Sequence, residues 1–130
     1  MNGQTAAPST TVPAACRSMA EVRHEIDALD ARIVPLLAQR CGYVAQAARI
    51  KQDPSQIVDV ARIEAIVARV REQGSALGAP PEVLESAYRA LIEASIEFER
   101  AEFARLRSGG LGVAPALGTE GLLAVRGSDT

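Results

Sequence analysis

Val22, Ile26, Leu29, Ile33, Leu36, Arg40, Tyr43, Ala47 and Ile50 succeed one another at alternating steps of four and three residues. That spacing makes the seam of a long helix packed along other helices. A cation interrupts it. Arg40 stands in mid-seam, where an unpaired guanidinium is very costly to bury. Lys51 follows at about 1100° further around a helix, and so within about 20° of the same face. Two cations are therefore aimed at one interior, and either buried carboxylates or an anionic ligand must answer them.

The rest of the chain reads as helix too. Ser18, with Glu21 three residues on, forms a capping box that opens the first helix. Its periodicity continues to about Gln52, before Asp53-Pro54. Pro35 removes one backbone bond inside it, and the unchanged heptad phase on either side predicts a kink rather than a break. A second helix is expected over Val58–Gln73, with Val60, Ile63, Val67 and Val70 inward and Gly74 as its stop. Pro80-Pro81-Glu82 opens a third, with an apolar stripe of Leu84, Ala87, Leu91, Ala94, Phe98 and Ala101, ending near Ser108-Gly109-Gly110.

With two Phe, two Tyr and no Trp in an Ala-, Leu-, Arg- and Glu-rich middle, the fold class is all-α: a three-helix chain with one long kinked first helix. A first helix of about 33 residues is about 50 Å long. A compact domain of about 90 residues has a radius of gyration of only about 12 Å. One chain cannot cover such a rod on all sides, so the seam calls for a second copy, in an intertwined helical homodimer.

Residues 1–17 are rich in Ala, Pro, Ser and Thr and read as a disordered tail. The helical domain then covers 18–108, and a loose Gly- and Ala-rich tail covers 109–130. Net charge is −2 with the signs interspersed, which gives no nucleic-acid footprint. No apolar run approaches the roughly 20 residues of a membrane span. Cys16 and Cys41 show neither metal spacing nor a disulfide framework and read as reduced thiols. Nothing before Ala15 resembles a signal peptide, and a cytoplasmic location is expected.

Further polar groups accompany the two cations. Ser95 and Glu99, four residues apart, share one face of the third helix, beside its core stripe. Arg62 lies on the second helix. Arg23 is about 100° off the face of Arg40 on an ideal helix, so within one chain the two do not converge. In an antiparallel dimer, Arg23 of one copy could meet Arg40 and Lys51 of the other. The alternative is structural: Arg40 pairs with Glu99 or Glu102 to fix register. His24 reads as solvated, and Tyr43 and Tyr88 as core or rim packing.

The run Val22-Arg23-His24-Glu25-Ile26-Asp27-Ala28-Leu29-Asp30, then Leu36-Leu37-Ala38-Gln39-Arg40, then Ala48-Arg49-Ile50-Lys51, resembles the all-helical chorismate mutase family. Ile92-Glu93-x-Ser95-x-x-x-Glu99 on the last helix completes the likeness, which covers about residues 18–107. The resemblance implies an intertwined homodimer with active sites between helices, no cofactor and no metal. It implies that chorismate is the substrate, rearranged to prephenate in phenylalanine and tyrosine biosynthesis.

Carried onto this chain, Arg40 clamps one carboxylate of chorismate and Arg23 of the other subunit clamps the second. Lys51 donates to the breaking ether oxygen, as does Glu99, where the family has Gln or Glu. Asp59, Arg62 and Ser95 line or support the pocket. The reaction is pericyclic, so the resemblance asks for orientation of a dianion and for stabilisation of charge growing on an oxygen.

One position departs from the pattern. Ile63 stands where many metabolic members have a glutamate that engages the substrate's ring hydroxyl. An apolar residue there is similar to the isochorismate pyruvate-lyase branch, which makes salicylate and pyruvate. Against that branch, Glu99 stands where it has Gln. A non-catalytic dimerisation module, with Arg40 and Lys51 as paired seam polars, is the remaining alternative.

Overall fold

The structure is a computed structural model that describes residues 15–108. The tail expected over 109–130 lies outside the described residues, as does that over 1–17 except for its last three positions. Three α-helices follow one another: α1 (Met19–Ile50), α2 (Val60–Ala76) and α3 (Pro81–Arg107), with a 3-10 turn at Pro54–Gln56. Among the described residues there is no strand, and no helix is long and apolar enough to cross a membrane. The fold is all-α.

Each boundary has a local cause. Ser18 Oγ accepts from the Glu21 N–H at 3.1 Å, as a capping residue does. Glu21 reaches one residue further back than the capping box requires, accepting from the Arg17 N–H at 2.8 Å. α1 then runs through Pro35 as one helix and ends at Ile50, with Lys51 as its extended C-cap. The connection to α2 carries its own capping box. Asp53 Oδ1 accepts from Ser55 N–H at 2.8 Å, and Gln56 Oε1 accepts from the N–H groups of Gln52 and Asp53.

α2 differs from the sequence expectation at both ends. It starts at Val60, because Asp59 caps it by accepting from the Arg62 N–H at 3.0 Å. Gly74 does not stop it. That glycine is buried inside the helix, where an added Cβ would lie 2.7 and 2.8 Å from Leu84 side-chain atoms, so it is there to let α3 approach. The stop is Gly78, at φ 91°, a left-handed conformation that only glycine adopts without cost. Its N–H reaches the Ser75 carbonyl and the Ala79 N–H reaches the Gly74 carbonyl, the two bonds of a Schellman motif.

α3 packs on both α1 and α2, so it is the central helix of the chain. The core gathers Ile66, Val67 and Val70 of α2 against Ile92 of α3, with Ile63, Leu84, Tyr88 and Ile96 around them. Each such burial contributes about 1.5–3 kcal/mol. On α2 the expected inward face holds at Ile63, Val67 and Val70, whereas that of α3 is rotated from the one expected. Val60 is exposed while Ile66 is buried, and Ala87, Ala94, Phe98 and Ala101 are exposed while Ile92 and Glu99 are buried. Along α1, only Ala48 is buried, and Ile26, Leu29, Ile33 and Leu36 stand 46–62% exposed. Among the described residues, nothing covers the N-terminal half of the apolar stripe on α1.

Candidate active site

The C-terminal third of α1, the 51–59 connection, the start of α2 and the middle of α3 enclose a cleft of about 500 Å³. That is a volume suited to a small molecule. Arg40, Lys51, Asp59, Arg62, Ser95 and Glu99, residues the resemblance singled out, all line it. Its apolar walls are Val44, Ala47, Ile57, Ile63, Ile66, Ile92 and Ile96, and Tyr43 and Gln56 complete it.

Arg23 is not brought there. It lies exposed on the uncovered half of α1, seventeen residues before Arg40 and so about 26 Å away along the helix.

Arg40 donates to Ser95 Oγ at 3.1 Å, and the Ser95 hydroxyl donates in turn to the Leu91 carbonyl at 2.8 Å. The guanidinium lies 6.0 Å from the centre of the Tyr88 ring, a weak cation–π contact at the edge of range. Among the described residues no carboxylate lies within ion-pair distance of Arg40. The register-fixing ion pair is thus not formed: Glu99 pairs with Lys51, and Glu102 with Arg105 at 2.6 Å. Arg62 likewise has no side-chain partner among the described residues, its recorded bond being the backbone one that caps α2.

Glu99 is the buried charged residue of the described chain, 6% exposed. Lys51 Nζ stands 2.8 Å from its Oε2. A buried carboxylate is costly unless a charge answers it, and here the Lys51 ammonium does. Asp59, by contrast, has one oxygen committed to capping α2.

The charge count of the cleft follows from these commitments. Three cations (Arg40, Lys51, Arg62) face two carboxylates, one already paired and one serving as a helix cap. The surplus is positive and sits in a partly dry, apolar-walled space, where an anion gains most from it. Ser95 holds Arg40 by a neutral contact that leaves the guanidinium's charge and remaining donors available. The 51–59 connection is tied down by its own capping box and by Asp59, so Lys51 and Arg62 are carried on a braced segment.

A family model described as chorismate mutase type II matches residues 22–100. The chain belongs to that family. The matched segment runs from before Arg23 to just beyond Glu99, so it takes in every residue of the cleft together with the exposed arginine. Comparisons with curated proteins and with solved structures give no match. Membership carries a chorismate mutase-type function at the level of the family.

The sequence reading missed some of the surroundings. Gln56 was not singled out, although Asp53 with Gln56 three residues later is a readable capping pattern. Arg107 was also missed. It bonds the last carbonyls of α1, and the only sequence signal was a basic residue in the last turn of α3.

Proposed function

We propose that the protein is a chorismate mutase that rearranges chorismate to prephenate, a step of phenylalanine and tyrosine biosynthesis. The observation that carries this reading is a cleft whose cations outnumber its carboxylates: Arg40 and Arg62 have no carboxylate partner among the described residues, and buried Glu99 pairs with Lys51. A dianion such as chorismate is the counter-charge that this surplus asks for.

Arg40, steadied by Ser95, takes one carboxylate. Lys51 donates to the ether oxygen on which negative charge grows as the C–O bond breaks. Glu99, when protonated, donates to the same oxygen, since only a carboxylic acid has a hydrogen to give. Arg62 and Asp59 bound the pocket rim, and the isoleucine walls hold the ring in the compact conformer that brings the reacting carbons together. No nucleophile, cofactor or metal enters such a pericyclic step.

The active unit in this reading is a homodimer. Ile26, Leu29, Ile33 and Leu36 form an uncovered apolar stripe on the half of α1 that also bears Arg23. A second copy laid antiparallel along that stripe covers it and delivers its own Arg23 to the cleft, where the substrate's second carboxylate needs a cation.

A second reading is favoured by Ile63, an apolar wall residue where a glutamate would engage the ring hydroxyl of chorismate. It makes the protein an isochorismate pyruvate-lyase that releases salicylate and pyruvate from the same cleft. Turnover of purified protein on chorismate and on isochorismate side by side decides between them. Fast prephenate formation upholds the mutase. Salicylate and pyruvate with only slow prephenate formation replace it with the lyase, and inertness to both overturns the enzyme reading.

A further inference from the structure

Lys51 is held by more than Glu99. Arg107, the last residue of α3, reaches back to the end of α1 and donates from Nη1 to the Ala48 carbonyl at 2.7 Å. Its Nη2 lies 3.5 Å from the Arg49 carbonyl and donates to that of Lys51. These are carbonyls of the final helical turn and its cap, which an α-helix leaves without partners of its own. The Ala47 carbonyl is already taken by the Lys51 N–H at 2.9 Å. The guanidinium lies 3.8 Å from the centre of the Phe103 ring one turn earlier, which fixes its plane and therefore the direction of its donors.

We infer that Arg107 is a positioning residue for Lys51, a clamp through which α3 sets the place of that ammonium in the cleft. Lys51 is the C-cap of α1, at φ −62° and ψ 144°, where the chain leaves the helix and its direction is not dictated by further helical bonds. α3 grips it twice. Glu99 faces its side chain at 2.8 Å, and Arg107, about 12 Å further along the same helix, holds its backbone carbonyl.

With both contacts in place, the ammonium is fixed relative to Arg40 and Ser95, which belong to the same two helices. Without Arg107 the last carbonyls of α1 lose these donors, and Lys51 keeps only its N–H bond to the Ala47 carbonyl and its ion pair with Glu99. A planar fork contacting adjacent carbonyls is something lysine cannot reproduce with one rotating ammonium. Arg107 lies outside the segment matched by the family model, so nothing in that match assigns it a role.

The inference rests on the proposed part of Lys51 in turnover, and the test separates the two. Four proteins are compared on chorismate and isochorismate, with melting temperatures alongside: wild type, Arg107→Gln, Lys51→Ala and the double variant. The clamp predicts that Arg107→Gln lowers kcat by about tenfold, the scale of a small misplacement of a reacting group. In the Lys51→Ala background the same change costs less than about twofold, because what Arg107 positions is gone. Arg107→Lys, which keeps the charge and loses the fork, stays impaired and carries the comparison if Arg107→Gln does not fold.

Equal fold-losses in both backgrounds mean a merely structural role and overturn the inference, as does wild-type kcat in Arg107→Gln or Arg107→Lys. If the wild type turns over neither substrate, the enzyme reading has failed, and the clamp is read by hydrogen exchange of the Lys51 amide in the same variants. Exchange accelerated about tenfold upholds it, and unchanged exchange removes it.

Discussion

Two groups of charges in this small molecule are built on opposite terms. On the outer face of α2 and α3, Arg89 donates to Glu85 at 2.7 Å and to both oxygens of Glu64, and Arg71 donates to Glu85 at 2.7 Å. Every member there is answered by another member. Hydrogen bonding from Arg89 holds the Glu64 and Glu85 carboxyls below the usual range and raises Arg89 itself. In the cleft, Glu99 is paired with Lys51, and Arg40 and Arg62 have no carboxylate partner among the described residues. The outer cluster is closed, whereas that of the cleft is open. Cations that the chain leaves unanswered in a concave, apolar-walled site are the ones an anionic ligand can answer.

The largest effect that would sharpen this contrast is at Arg40. Arg40→Met is expected to lower turnover by about a thousandfold or more, as loss of a preorganised charge does. Its melting temperature should stay level or rise, because a half-buried guanidinium with no carboxylate partner is removed. A variant that unfolds where the wild type does not would move Arg40 into the structural class of charges, alongside Arg89.

Next in size is a complementation experiment. Arg23→Ala and Arg40→Ala are each expected to be inactive alone. When mixed under exchange, they should recover about a quarter of wild-type sites per mixed dimer population, by the statistics of random pairing in a symmetric dimer. No recovery would detach Arg23 from the cleft.

Glu99→Gln and Glu99→Ala together test that side chain as a donor. The amide keeps an N–H to give, so Glu99→Gln is expected to retain turnover, whereas Glu99→Ala lowers it by about a hundredfold. Equal turnover in the two variants would remove Glu99 as a donor.

The smallest effect is expected from the closed cluster. Arg89→Ala should leave turnover untouched and lower the melting temperature slightly at neutral pH, since exposed pairs contribute little. The Glu64 and Glu85 carboxyls are depressed in the folded state, so their contribution is present above the ordinary value of 4.5. It is lost as pH falls through their lowered values. The difference between Arg89→Ala and wild type should therefore shrink in acid, and a difference that grows would refute the pairing.

Much of the site was legible because helical geometry is rigid. Once α1 is a helix, Arg40 and Lys51 share a face by arithmetic, as do Ser95 and Glu99 on α3. Spacing therefore put each pair on one face of its own helix; that the two faces line one cleft follows from the docking of α3 on α1. Ser18, Pro80-Pro81 and the end of α3 were also readable, since caps and prolines act within one turn of the backbone.

Other features depend on contacts between elements that no local pattern specifies. Gly74 looks like a helix stop, yet the stop is Gly78, because the approach of Leu84 decides which glycine serves packing and which serves the turn. Both α3 faces carry apolar residues, and only the docking of α2 selects Ile92 over Phe98 as core. Whether Arg40 meets Glu99 or Glu102 was open in the sequence for the same reason, and the docking of α3 against α1 gives Glu99 to Lys51 instead. Arg107 joins residues fifty-six positions apart in the chain. Sequence by itself thus determined the helices and which charges share a face, through interactions of three or four residues' range. Tertiary structure alone decided which face is inside and which charge is left unanswered, because those follow from how rigid helices dock.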